Sequence, residues 1–121
     1  ENWDYILTIE SALDALHDFT EPIGFMGHSH SPFFLEATSP EHGYIVRENI
    51  LSVKSDCRYL VNVGSVGQPR DNNARSCCVL YDLDEHTLQR LRVSYDISVT
   101  QKKILDADLP VLLAHRLETG Y

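Results

Sequence analysis

The chain has 121 residues, 43% of them hydrophobic and 23% charged, enough for one globular domain that buries roughly two thirds of its unfolded surface. With no low-complexity stretch, like-charge block or convincing internal repeat, it is not the composition of a disordered segment. A formal net charge of -8 is the wrong sign for tracking a phosphate backbone, and no run approaches the ~18 apolar residues needed to span a bilayer.

Ser11 with Asp14 three residues later resembles a capping pair, and Ile9, Ala12, Leu13 and Leu16 recur at helical spacing to about Phe19, predicting an amphipathic helix. His17 lies on it as a solvated side chain. After Glu21-Pro22, the run Ile23 to Met26 reads as a short strand covered on both faces. Phe33 to Ala37, Tyr44 to Val46 and Tyr59 to Val63 read as further strands, separated by turn-forming residues. Cys77 to Leu83 and Thr87 to Tyr95 flank Asp84-Glu85-His86 as a hairpin, with His86 in the turn. Ser98 to Ala107 has helical character, Pro110 can open a last short helix, and Gly120 ends it. Three helices and six strands, mostly in meander order, predict an α+β domain with one sheet and helices packed against it.

Three cysteines, two of them adjacent at Cys77-Cys78, fit a reducing compartment better than a disulfide framework and predict a cytoplasmic protein. Glu1 is not an initiator methionine, so upstream residues are expected to have been removed, processed or never included; no charged-then-apolar leader precedes the first helix. Arg70, Arg75, Arg90, Arg92 and Arg116 give only local positive character.

The chemistry is most legible at Gly27-His28-Ser29-His30, directly after the apolar run. On an extended backbone, side chains two apart share a face, so both imidazoles could serve one region, and neutral imidazole is a common metal ligand. Two ligands are too few for a zinc site of either kind, and no Cys-x-x-Cys completes one. Alone, such a pair more often ends a strand as ordinary polar residues.

A second motif, Asn62-Val63-Gly64-Ser65-Val66-Gly67-Gln68-Pro69-Arg70-Asp71, again sets a glycine-rich turn after an apolar strand. Gly64 and Gly67 permit positive φ or close approach, and Ser65, Gln68 and Arg70 could reach a phosphate-like group. The plainer reading is a tight connecting loop in which Asn62 and Ser65 cap backbone groups.

Together, in this order, the two motifs resemble the calcineurin-like metallophosphoesterases, in particular their bacterial and archaeal phosphodiesterase branch, with G-H-x-H followed by N-x-G-S-V-G-Q-P-R-D. The likeness runs from Trp3-Asp4-Tyr5-Ile6 to Tyr95-Asp96-Ile97, Leu109-Pro110 and Arg116-Leu117-x-x-Gly120, almost the whole chain. It implies a four-layer α/β/β/α sandwich with a dinuclear centre between facing sheets, of which residues 1–121 would be the C-terminal portion: the second β-sheet with its outer helices. By resemblance, His28 binds one divalent ion and His30 the other, the ions being manganese, iron, zinc or nickel, and an activated hydroxide attacks phosphorus in line. The implied reaction is phosphodiesterase or phosphatase hydrolysis.

The family's earlier motifs, D-x-H, G-D-x-x-x and G-N-H-E, are missing, so no catalytic residue is assigned. The chain alone is expected to bind metal poorly and hydrolyse little. A sheet face including parts of Ile23-Phe25 and Tyr59-Leu60-Val61 is expected to be exposed, to be met by a missing N-terminal half or by self-association. The competing reading is a non-catalytic protein-interaction module on the same fold. A third, a single-metal domain using His28, His30 and His42, is weaker because Ser39 to Gly43 reads as a turn; His115 reads as a helix-surface residue.

Overall fold

A computed structural model describes residues 5–121; Trp3 and Asp4 of the resemblance lie outside the described residues. The first helix, α1 (Ile9–Ala15), starts on Thr8. The Thr8 hydroxyl accepts from the Ser11 amide at 3.1 Å and the Ser11 hydroxyl accepts from the Thr8 amide at 3.2 Å, a reciprocal capping box. The expected Ser11–Asp14 pair is therefore displaced by one turn: Ser11 closes the cap and does not open it. A 3₁₀ turn (Leu16–Asp18) continues the helix.

Seven strands follow: β1 (Ile23–Met26), β2 (Phe33–Ser39), β3 (His42–Val46), β4 (Ile50–Ser52), β5 (Arg58–Asn62), β6 (Ser76–Asp82) and β7 (Thr87–Val93). They form two sheets, β1-β5-β2-β3 and β4-β7-β6, where one had been expected. The β6–β7 hairpin pairs with no strand of the first sheet, and β4, three residues without a readable periodicity, adds to it by pairing with β7. Among the described residues only β1 and β5 run parallel, with Met26 opposite Asn62.

Alternation along β2 and β5 builds two cores. Phe34, Tyr59 and Val61 meet Leu51 and Leu88 from the second sheet, while Leu35, Ala37 and Leu60 face Ala12, Leu13 and Leu16 of α1 and the turn after it. The expected open face is therefore covered by the chain itself: Tyr59 and Val61 are 0% exposed and Leu60 4%. Phe25 is the exception at 52% exposed, because β1 is an edge strand and not one covered on both faces. Its ring lies tilted against Tyr81 at 6.3 Å.

Arg58 fastens the helical layer to the sheet. Its guanidinium donates to the carbonyls of Leu16 (2.8 Å) and Phe19 (2.6 Å) and lies 5.0 Å over the Phe19 ring, serving carbonyls that the end of the turn leaves unpaired. At the other end of the chain, Asp96 caps α2 (Ile97–Asp106), which packs on α3 (Val111–Thr119), and α3 stops at Gly120 with φ 68°. Among the described residues the result is α+β, two sheets and three α-helices. Among the described residues no helix is long and apolar enough to cross a membrane.

In the middle of β2 lies a buried carboxylate. Glu36, 1% exposed, accepts from Tyr44 Oη and Lys54 Nζ, both at 2.6 Å, and from Tyr59 Oη at 3.4 Å. Burial pushes its pKa up, but the hydrogen bonds from Lys54 and Tyr44 and the Lys54 charge outweigh this and hold it below the ordinary 4.5. A carboxyl depressed in the folded state contributes stability above its unfolded pKa and loses it as pH falls through the folded one. Thermal melts should accordingly fall as pH drops below 4.5. Glu36→Gln should cost about 2 kcal/mol at neutral pH and flatten this acid limb; an unchanged acid limb would show that Glu36 does not drive it.

Candidate metal centre

β1 stops at Met26 because the next residues leave the extended region. His28 and His30 both have left-handed backbones, φ 68° and 60°. The extended alternation expected of the histidine pair therefore does not hold; the chain bends at each imidazole-bearing residue. Such a conformation costs a non-glycine residue roughly 1–2 kcal/mol, although histidine tolerates it better than most. Two in three residues need external support.

That support comes from the second motif. Asn62, 0% exposed, ends β5 and donates through Nδ2 to the Gly27 carbonyl (3.2 Å) and the Ser29 hydroxyl (2.8 Å). Its Oδ1 accepts from the Gly64 amide at 2.9 Å. Further along, the Arg70 amide donates to the His30 carbonyl (3.2 Å) and the Ser31 hydroxyl to the Arg70 carbonyl (3.2 Å). The two motifs, far apart in sequence, are laced into one unit.

His30 Nδ1 lies 2.7 Å from the Gln68 carbonyl oxygen. A carbonyl can only accept, so Nδ1 carries the proton and the neutral ring keeps its lone pair on Nε2. A backbone carbonyl behind one nitrogen is the usual way a metal-binding histidine is oriented. His28 is exposed and stacks on Tyr5, ring centroids 4.5 Å apart and planes 28° from parallel. Sequence reasoning gave Tyr5 no site role; its only signal was its place in the resemblance.

The remaining motif residues serve the loop. Ser65 Oγ accepts from the Gln68 amide, and Gln68 Oε1 from Arg70 Nη2, each at 2.9 Å. Gly64, at φ 76°, lies against Cys77, where an added Cβ would approach Cβ and Sγ to 2.8 Å. Asp71 forms an ion pair with Arg92 of β7, tying the motif to the second sheet. These placements fit the plainer, structural reading of Ser65 and Gln68, while Arg70 Nε is buried without a hydrogen-bond partner among the described residues.

Among the described residues no group of three or more His, Cys, Asp or Glu side chains could hold a metal. His42 does not join the pair: it stands opposite Ser39 at the far end of β2, a strand length of roughly 20 Å from Phe33. A cavity of about 360 Å³, lined by Pro22, Ile23, Val53, Lys54, Ser55, Tyr81 and His86, opens where β1 begins, away from the histidine loop that follows its end. The donor set present, two imidazoles with one held by a carbonyl, suits part of a divalent-metal site.

No family model matches this sequence. An uncharacterised protein of Methanocaldococcus jannaschii is 34% identical over 120 residues, which is 99% of this chain and 47% of that protein. The crystal structure of a metallophosphoesterase from Sphaerobacter thermophilus matches with a TM-score of 0.86 at 33% identity, covering 98% of this chain and 50% of that one. The chain thus spans about half the length of each.

Gly64→Ala should cost about 2 kcal/mol, from the left-handed backbone together with the clash at Cys77. Denaturant melts of this variant beside Gly67→Ala, where nothing lies within 4 Å of the added carbon, check it: the second substitution should cost less.

Proposed function

This chain resembles the metallophosphoesterases in sequence and shares their fold over 98% of its length, and from that premise we propose that it is the C-terminal, histidine-bearing portion of a phosphoester hydrolase. The observation that carries the reading is the 2.7 Å contact of His30 Nδ1 with the Gln68 carbonyl, which leaves Nε2 as the ligating nitrogen. His28 and His30 would each hold one of two divalent ions. Bound divalent ions supply a nucleophilic water at neutral pH and neutralise charge on the phosphoryl oxygens.

The chain's own part is positioning. The Gln68 carbonyl fixes the His30 ring, Tyr5 packs against the His28 ring, and the Arg70 amide holds the loop backbone beside them. The Arg70 guanidinium, bonded to Gln68 Oε1, would add positive charge for an anionic ester in a chain whose net charge is -8. Two imidazoles make less than a dinuclear site, so the other ligands would come from a longer form of the protein or from a second chain. The half-length match to both relatives supports a longer form. The β1 edge, with Phe25 52% exposed, is the place where we expect a complementing segment to add.

The test is hydrolysis of bis(p-nitrophenyl) phosphate by the full-length protein, stripped with chelator and reloaded with manganese. Activity should require the metal, and His28→Ala or His30→Ala should each lower kcat/KM by about a hundredfold or more with the circular dichroism spectrum kept. Absence of phosphoester hydrolysis with every divalent ion, with both variants binding metal as the wild type does, would favour the interaction-module reading.

A further inference from the structure

Asn62 spends its one side chain on both loops at once. Its amide sits between the Gly27 carbonyl and the Ser29 hydroxyl on one side and the Gly64 amide on the other. The orientation is forced: the alternative would set the amide oxygen against the Gly27 carbonyl, where neither atom has a proton. Gly27 and Ser29 bracket His28, and Ser29 directly precedes His30. Both left-handed residues are therefore held by anchors next to them in the chain. The Ser29 amide adds a bond to the Gly27 carbonyl at 2.8 Å, closing the bend around His28.

We propose that Asn62 is the positioning residue of the candidate metal site: it touches no ion, and its buried amide holds the loop in the bend that presents His28 and His30. The inference rests on the reading of these histidines as ligands. Aspartate at this position keeps the shape and the oxygen that accepts from Gly64 but loses both donors, and its charge would face the Gly27 carbonyl. The loop would then relax toward ordinary backbone angles and lose the paired presentation of its imidazoles.

The experiment measures manganese affinity by calorimetry and amide hydrogen exchange at Ser29 and Arg70 in the full-length protein, for Asn62→Asp, Ser29→Ala and the double variant. Asn62→Asp should weaken manganese binding by about tenfold or more and speed exchange at Ser29 and Arg70, with Leu35 and Leu60 in the sheet unchanged. Ser29→Ala should move both readouts less, and add nothing to Asn62→Asp. Unchanged affinity and loop exchange in Asn62→Asp overturn the proposal. So does faster exchange throughout β2 and β5, the mark of a merely structural amide. If Asn62→Asp does not fold, Ser29→Ala decides by the same readouts, wild-type values overturning the proposal. If the wild type binds no manganese, the phosphoesterase reading fails, and loop exchange alone then decides whether Asn62 holds the bend.

Discussion

β5 has no free face, and the rest of the structure is arranged around that constraint. It lies between β1 and β2, covered on one side by the second sheet and on the other by α1 and the turn that follows it. A slip of one residue would send Tyr59 and Val61 to the helix side and Leu60 to the sheet side, exchanging every packed side chain. The register is therefore held by the whole core. Because it is held, the strand ends where Asn62 meets Gly27 and Ser29, and the position of the histidine loop follows from packing well away from it.

The polar contacts around that end form a graded series. Asn62 fixes the histidine loop, the Arg70 amide and Ser31 hydroxyl fasten the second loop to it, and the Asp71–Arg92 pair fastens both to the second sheet. Arg92 and Asp71 are largely screened from water, with side chains 12% and 24% exposed, so the pair keeps more of its attraction than an open surface pair would. Much of the second motif is thus devoted to holding its own shape. Ser65, Gln68, Arg70 and Asp71 all have local partners, while the His28 side chain is exposed.

How much of this was legible depended on whether a feature is local. The cores of β1, β2, β5, β6 and β7 could be read because apolar runs end at turn residues, and Gly120 stops α3 as expected. β4 could not: Ile50-Leu51-Ser52 is too short to show a period, and its partner is set by the hairpin of β6 and β7. That the β6–β7 hairpin stands apart as a second sheet was also not legible, and with it the cover over Tyr59 and Val61. The cap at Thr8 was missed because Ser11 carries the same chemistry one turn later. His28 and His30 were singled out by spacing, but the backbone geometry behind that spacing was misread. Extended alternation was assumed where two bends occur, and contacts from Asn62, Gln68 and Arg70, all remote in sequence, hold those bends. The Glu36 cluster was invisible for the same reason, since Tyr44, Lys54 and Tyr59 meet it only in the fold.

The parallel pairing of β1 with β5 also dictates an order of assembly. Gly27 and its partner Asn62 are 35 residues apart, and among the described residues β1 has no strand neighbour except β5. The β2–β3 hairpin closes over a short loop and can form early, whereas β1 must wait for a strand made later that enters between it and β2. During synthesis both imidazoles emerge well before the residue that arranges them. In a nascent chain the two imidazoles are therefore not yet arranged, and the bends at His28 and His30 are held only when the central strand has been inserted. The arrangement of the two imidazoles is in this way coupled to completion of the sheet.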